Sequence, residues 1–261
     1  MPTYLDQILA AHREAARADR RDLSRLLAAA GRCPAARGFN AALKAGPAVA
    51  VIAEIKRRSP SKGTLAPDLD PALLAKVYAG AGAACLSVLT DPEFFGGSAD
   101  DLAAARSATD LPVLRKDFTV SPADVCDART MGADAVLLIV AALSAGELTE
   151  LLGTTRRLGL DALVEVHDEA EAELALGAGA EAIGVNQRDL VTFEVDTRRA
   201  VRVARSLPGH VVRVAESGVR DRDDVRRLAD AGFDAVLVGE ALVTAPSPGA
   251  ALAALTAVEV P

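Results

Sequence analysis

Gly132-Ala-Asp-Ala-Val-Leu-Leu138 is one of four closely similar stretches whose repetition decides the fold. The others are Gly82-Ala-Ala-Cys-Leu-Ser-Val88, Gly179-Ala-Glu-Ala-Ile-Gly-Val185 and Gly232-Phe-Asp-Ala-Val-Leu-Val238. Each opens with a glycine of the kind that ends a helix and runs straight into a short apolar segment that reads as a fully buried strand. Their starts lie about 50 residues apart, roughly twice the length of a βα unit, so a further strand is expected between them. Val49 to Ile55, Pro112 to Arg115, Ala162 to Val166 and Val211 to Ala215 fill that need. The intervening stretches are amphipathic. Helices are expected over Pro71 to Ala79, Asp100 to Ser107, Pro122 to Met131, Ala145 to Leu158, Glu169 to Leu176, Asp196 to Ser206 and Asp221 to Ala231. Asp70-Pro71, Ser121-Pro122, Ser144 and Asp221 supply N-cap or first-turn chemistry at several of the starts.

Eight parallel strands alternating with helices predict a closed (β/α)8 TIM barrel. A doubly wound open sheet uses the same alternation, but its first turn is normally glycine-rich, whereas the first strand here runs out as Glu54-Ile-Lys56-Arg-Arg-Ser-Pro60 with no GxGxxG. The first 45 or so residues precede that strand and read as helices, around Tyr4 to Arg17 and near Ala35 to Lys44. Residues 1–47 are therefore expected to form a helical extension within a single domain spanning 1–261.

The chain has 261 residues, 51% of them hydrophobic and 25% charged, enough for one large core. A net charge of −7 argues against a nucleic-acid or anionic-membrane surface, so any anion must be held locally. Cys33, Cys85 and Cys126 are odd in number, far apart and without a CxxC pair, which suits a reducing compartment and neither a disulfide frame nor a zinc site. Charged residues interrupt the first 21 positions, unlike a signal peptide, and the longest apolar stretch, Ala135 to Leu143, is too short to span a bilayer. A cytoplasmic protein is expected.

In such a barrel, catalysis sits at the C-terminal ends of the strands. Five of those ends carry ionisable or polar groups. The first offers Glu54 and Lys56, whose i, i+2 spacing puts both on one face. The third ends Arg115-Lys116-Asp117-Phe118, the fifth has Glu165, the sixth Asn186 followed by Arg188, and the seventh Glu216. Taken singly, each reads more readily as a surface or loop-anchoring ion pair. As a set they fall at one end, where mutual pairing shifts pKa values toward acid-base work. His12, His167 and His210 have no metal-ligand spacing, and only His167 is expected near the mouth. Ser217-Gly218 after strand seven and Gly239-Glu240 after strand eight are placed where barrels bind phosphate on backbone N–H groups and a short helix. The loop Arg57 to Gly63 has the composition of a lid that touches an anion, or equally of a solvated loop.

Read in order, Ile52-Ala-Glu-Ile-Lys-Arg-Arg-Ser-Pro-Ser-Lys-Gly63, Ser87-Val-Leu-Thr-Asp-Pro-Glu-Phe-Phe-Gly-Gly-Ser98, Leu111-Pro-Val-Leu-Arg-Lys-Asp-Phe118, Leu163-Val-Glu-Val-His167, Ile183-Gly-Val-Asn-Gln-Arg-Asp-Leu190 and Ala215-Glu-Ser-Gly218 resemble the indole-3-glycerol phosphate synthases. The resemblance runs from the N-terminal extension to the last helix. It implies decarboxylation and dehydration of 1-(2-carboxyphenylamino)-1-deoxyribulose 5-phosphate, with no cofactor and no metal. It further implies Lys116 as the proton donor to the substrate ketone, with Lys56, Glu54 and Glu165 sharing the later acid and base roles. Asn186 and Glu216 resemble the family's orienting residues. Phe95, Phe118, Leu137 and Leu190 resemble its apolar wall, and Ser59, Gly218, Gly239 and the Glu240 amide its phosphate site, while Arg188 and Ser217 are expected to bind the substrate or its phosphate.

The pattern is departed from twice. Position 187 is Gln where Asn or Ser is expected, and strand alternation points it away from Asn186. Glu240 stands where some members carry Ser. Because a carboxylate repels a phosphate, contact there is expected through the backbone with the side chain turned outward, and a carboxylate facing the cavity would count against the phosphate site. The partner expected is a phosphorylated small molecule, bound by a monomer, with association with other enzymes of its pathway left open; another phosphate-binding barrel enzyme, such as an isomerase, or a lapsed paralogue are the competing readings.

Overall fold

The computed structural model describes residues 3–189, 191–256 and 258. The four glycine joins behave as their sequence requires. Gly82, Gly132, Gly179 and Gly232 all take left-handed backbones, with φ of 92°, 94°, 87° and 81°. After each, the next residue's N–H reaches back across the helix end: Ala83, Ala133, Ala180 and Phe233 donate to the carbonyls of Tyr78, Ala128, Ala175 and Leu228 at 2.9 to 3.1 Å. This is the Schellman closure, which satisfies carbonyls a helix leaves open and turns the chain into the strand; a residue with a Cβ resists that φ.

Among the described residues, eight parallel strands close into a barrel in chain order. They are β1 Ala50–Ile55, β2 Cys85–Leu89, β3 Val113–Lys116, β4 Ala135–Ile139, β5 Asp161–Val166, β6 Ala182–Asn186, β7 Val212–Glu216 and β8 Ala235–Val238. β1 pairs with both β2 and β8, which closes the ring and rules out the open sheet. Ile52, Cys85, Leu114, Leu163, Val214 and others fill the barrel interior, while a second apolar layer lies between the strands and the surrounding helices. The expected caps form: Asp70, Ser121, Ser144 and Asp221 each accept backbone N–H bonds at their helix starts.

The N-terminal segment differs in part from expectation. α1 spans Tyr4–Ala18 as expected, but an additional helix, α2, forms at Leu23–Ala30 behind the N-cap Asp22, and α3 is confined to Phe39–Leu43. The N–H of Arg37 is held by Asp134 at 2.7 Å, and Gly38 adopts φ 71°, so residues 35–38 are drawn out of helical geometry. α3 places buried Phe39 and Leu43 with the interior residues of the barrel, at the end opposite the catalytic mouth. The helix expected over Asp196 to Ser206 is also shorter: it runs Arg199–Val203 and tightens into a 3-10 turn at Ala204–Ser206. Asp196 forms a local turn with the Arg198 N–H and delays its start.

No helix among the described residues is long and apolar enough to cross a membrane. Cys85 and Cys126 are buried, Cys33 is half-buried, and all three are free thiols.

Candidate active site

A cavity of about 620 Å³ opens at the C-terminal ends of the strands, and residues expected from the sequence line it together: Glu54, Lys56, Ser59, Phe95, Lys116, Phe118, Leu137, Glu165, Asn186, Arg188, Glu216, Ser217, Gly218, Gly239 and Glu240. Leu190 lies outside the described residues. Alternation along β3 explains the sorting at Arg115-Lys116-Asp117. Lys116 faces the cavity, while Arg115 bonds Thr90, Asp117 and the Asp124 carbonyl.

Two cations face three carboxyl groups. Lys56 Nζ bonds Glu54 Oε1 at 2.6 Å. Lys116 Nζ stands 3.6 Å from both Glu165 Oε2 and Glu216 Oε2. Burial opposes the charge of Lys116, but Glu165, Glu216 and Glu54 outweigh it and raise its pKa, so the ammonium is the stable form. Burial works against the Glu54 and Glu165 carboxylates too. For Glu54 it is overcome chiefly by Lys56 and Lys116, and for Glu165 by Lys116, His167 and Asn186, which leaves both below the usual range. Glu216 goes the other way: burial and the neighbouring Glu165 charge push it up to about 8. With Glu216 protonated, two ammonium groups balance two carboxylates, which is the condition under which such a set tolerates burial.

Asn186 ties the catalytic groups to the phosphate end. Its Nδ2 donates to Glu165 Oε1 at 3.0 Å, while its Oδ1 accepts from Ser217 Oγ at 2.8 Å and from the Arg188 N–H at 3.0 Å. Gln187 is fully buried and donates to the Ser217 carbonyl at 2.6 Å, pointing away from Asn186 as alternation requires. Ser217 and Gly218 take consecutive positive φ, 64° and 78°, which turns the chain at the end of β7 and leaves main chain at Gly218 for an anion to approach closely. Ser59 Oγ is buried on the cavity wall and bonds no other protein group. Phe95 and Phe118 lie 6.3 Å apart by ring centroid and form an apolar wall. The Glu240 side chain is not turned away as expected: its carboxylate lies between Lys62 Nζ and Arg188 Nη2, at 3.9 and 3.7 Å. The two cations draw it there, so the expectation of an outward side chain fails, and a phosphate at this end would have to displace the carboxylate from them.

His167 is near the mouth as expected, 3.5 Å from Glu165 and bonded to Glu171 at 3.0 Å. His12, however, is there as well, contrary to the sequence reading. α1 carries it across the mouth, where Nε2 meets Asp91 Oδ2 at 2.9 Å and Asp117 Oδ1 at 3.8 Å, with the ring 5.5 Å from Phe118. Asp91 also accepts the Phe94 and Phe95 N–H groups, and Asp117 accepts that of Phe118. His12 thus pins the node that holds both aromatic walls. Asp91 and Asp117 sit in two of the motif stretches, at strand ends. Their position was the available signal, but nothing in the sequence linked them to His12.

Burial opposes charge on His12, but the Asp91 hydrogen bond and the charges of Asp117, Asp91 and Asp124 raise its pKa. A raised folded pKa contributes stability that is fully present below the unfolded value, about 6.5, and is lost as pH rises through the folded value. His12→Gln should therefore lower Tm by about 2–4 °C at pH 6, with the difference shrinking by pH 9. Thermal melts across that range check it, and a pH-independent difference would remove the charged role.

Comparison with known proteins fits this geometry. The family model described as indole-3-glycerol phosphate synthase matches residues 5–255. The indole-3-glycerol phosphate synthase of Mycobacterium ulcerans (strain Agy99) is 51% identical over 255 residues, covering 97% of this chain and 93% of the relative. That of Mycobacterium avium (strain 104) is 52% identical with the same coverage. Among solved structures, a thiamine phosphate pyrophosphorylase from Pyrococcus furiosus superposes with TM-score 0.60 at 17% identity, covering 79% of this chain and 93% of that one. An N-acetylmannosamine-6-phosphate 2-epimerase from Clostridium perfringens gives TM-score 0.60 at 13% identity, with 77% and 89% covered. These last two share the fold alone. By the family match and by its relatives across nearly its whole length, the chain belongs to the indole-3-glycerol phosphate synthase family.

Proposed function

We propose that this chain converts 1-(2-carboxyphenylamino)-1-deoxyribulose 5-phosphate into indole-3-glycerol phosphate, carbon dioxide and water, the ring-closing step in tryptophan biosynthesis. The observation that carries the reading is that one cavity brings together two lysines paired with buried carboxyl groups, an aromatic wall, and a loop geometry suited to phosphate.

The aromatic carbon bearing the substrate carboxylate attacks the ketone carbon, and the electron pair moves to the ketone oxygen. Lys116 donates its proton there and stabilises the developing negative charge. Loss of carbon dioxide returns the bonding pair to the ring. The hydroxyl formed from the ketone then leaves as water: Lys56, hydrogen-bonded to Glu54, protonates the departing oxygen, and Glu165 takes a proton from the neighbouring carbon to complete the indole. Asn186 orients Glu165, and Glu216 positions Lys116. Phe95, Phe118 and Leu137 flank the anthranilate ring. Ser59, Arg188 and the backbone at Ser217, Gly218, Gly239 and Glu240 take the phosphate. In this reading no metal or cofactor takes part, and a monomer works in the cytoplasm, which the three free thiols support.

A fluorescence assay of indole-3-glycerol phosphate formation, run on purified protein with chelator present, tests the proposal. Turnover in chelator is expected. No turnover from protein shown to be folded would overturn it in favour of another phosphate-barrel activity or a lapsed paralogue.

A further inference from the structure

Glu240 puts a carboxylate at the place proposed for the ligand's phosphate, and its surroundings give that charge a use. It opens the short helix Glu240–Val243 directly after β8. Oε1 lies 3.9 Å from Lys62 Nζ, on the loop after β1, and Oε2 lies 3.7 Å from Arg188 Nη2, on the loop after β6. One side chain therefore joins loops from three strands across the cavity rim. All three residues line the cavity.

Without an anion between them, Lys62 and Arg188 repel each other and solvent competes for both. The carboxylate supplies that anion from within the chain. Its hold is weak by construction. The Glu240 side chain is 38% exposed and that of Lys62 56%, and ion pairs of this length and exposure are readily exchanged for a better partner. A phosphate monoester is a better partner. It carries about −1.5 to −2 charges near neutral pH and several acceptor oxygens, against one charge and two oxygens on the carboxylate. It also finds the unpartnered Ser59 hydroxyl nearby. Arg188 is braced for the exchange, because Nη1 is held by the Phe193 carbonyl at 3.1 Å while Nη2 faces Glu240.

We propose that Glu240 is a built-in counter-anion for Lys62 and Arg188 that the ligand's phosphate displaces, so that it holds the β1 loop over the empty mouth and sets how tightly phosphate binds. Displacement lowers affinity for the phosphate end and speeds release of the phosphorylated product, because the carboxylate returns to the cations as the ligand leaves. The inference rests on the phosphate placement proposed above.

The test uses inorganic phosphate as the probe, with its inhibition constant measured at fixed ionic strength for the wild type, Glu240→Gln and Arg188→Ala. Glu240→Gln, half-exposed and isosteric, should tighten phosphate about five- to tenfold, and the gain should shrink in high salt as screening weakens both interactions. Arg188→Ala should weaken it. In the absence of phosphate, trypsin should cleave after Lys62 faster in Glu240→Gln than in the wild type, since the loop has lost its tether. If Glu240→Gln binds phosphate as the wild type does while Arg188→Ala binds it more weakly, the counter-anion proposal is overturned and the phosphate site stands. If neither substitution changes phosphate inhibition, the phosphate placement falls, and this proposal with it.

Discussion

Replacing Lys116 by Ala is expected to lower kcat by about a thousandfold or more while substrate affinity stays within about tenfold. A positioned general acid contributes roughly 10²–10⁴ in rate, and a charge aimed at a developing oxyanion about 10²–10³. Lys116 is proposed to do both for the ketone oxygen. The ground-state ketone is neutral and gains little from the ammonium, so the loss falls on kcat and not on binding. Removing the lysine also leaves the Glu165 carboxylate, 2% exposed, without its counter-charge, and the protonated Glu216 beside it without a partner for Oε2. Folding should therefore be checked beside Lys116→Arg, which keeps the charge. Because a guanidinium does not give up its proton in this range, Lys116→Arg should restore stability and recover little of the rate. Near-normal turnover in Lys116→Ala would remove Lys116 as the acid.

The eight strands were legible because each requirement on the barrel is local: a left-handed glycine to end the helix, an apolar run to cross the interior, and an N-cap to start the next helix. The ends of those strands were legible for the same reason, since alternation alone puts Glu54 with Lys56 and turns Lys116 inward and Arg115 away. What escaped depends on chain crossing the mouth. His12 meets Asp91 across a separation of 79 residues, and only the path of α1 brings them together. The displaced start of α3 has a similar origin, because Asp134 captures the Arg37 N–H from another element. The direction of the Glu240 side chain follows from two cations on other loops, whereas repulsion by an expected phosphate pointed the opposite way. The protonation of Glu216 likewise follows from three carboxyl groups sharing two lysines, a property of the assembled site and of no single motif.

Gly184, in the middle of β6, shows how closely that assembly is packed. It lies beside Glu165 in the β5 to β6 register, and a Cβ built there overlaps the Glu216 carboxylate and comes within 3.3 Å of Leu163 Cδ1. Leu163 is itself fully buried and has no room to yield. Gly184→Ala must therefore displace the Glu216 carboxyl, whose other oxygen is the one that meets Lys116. Overpacking of this kind costs about 1–3 kcal/mol of stability, and misplacing a catalytic group by about 1 Å costs about a hundredfold in rate. We expect kcat to fall by about that much at temperatures well below the melting transition, with a smaller change in KM because the phosphate and aromatic walls are untouched. A second substitution isolates the cause. Glu216→Asp shortens the colliding side chain by one methylene, so the double variant Gly184→Ala/Glu216→Asp should regain stability relative to Gly184→Ala while kcat stays low, since the shorter carboxyl no longer reaches Lys116. Unchanged kcat and Tm in Gly184→Ala would mean that Glu216 moves freely, and its contact with Lys116 would then have no part in positioning the acid.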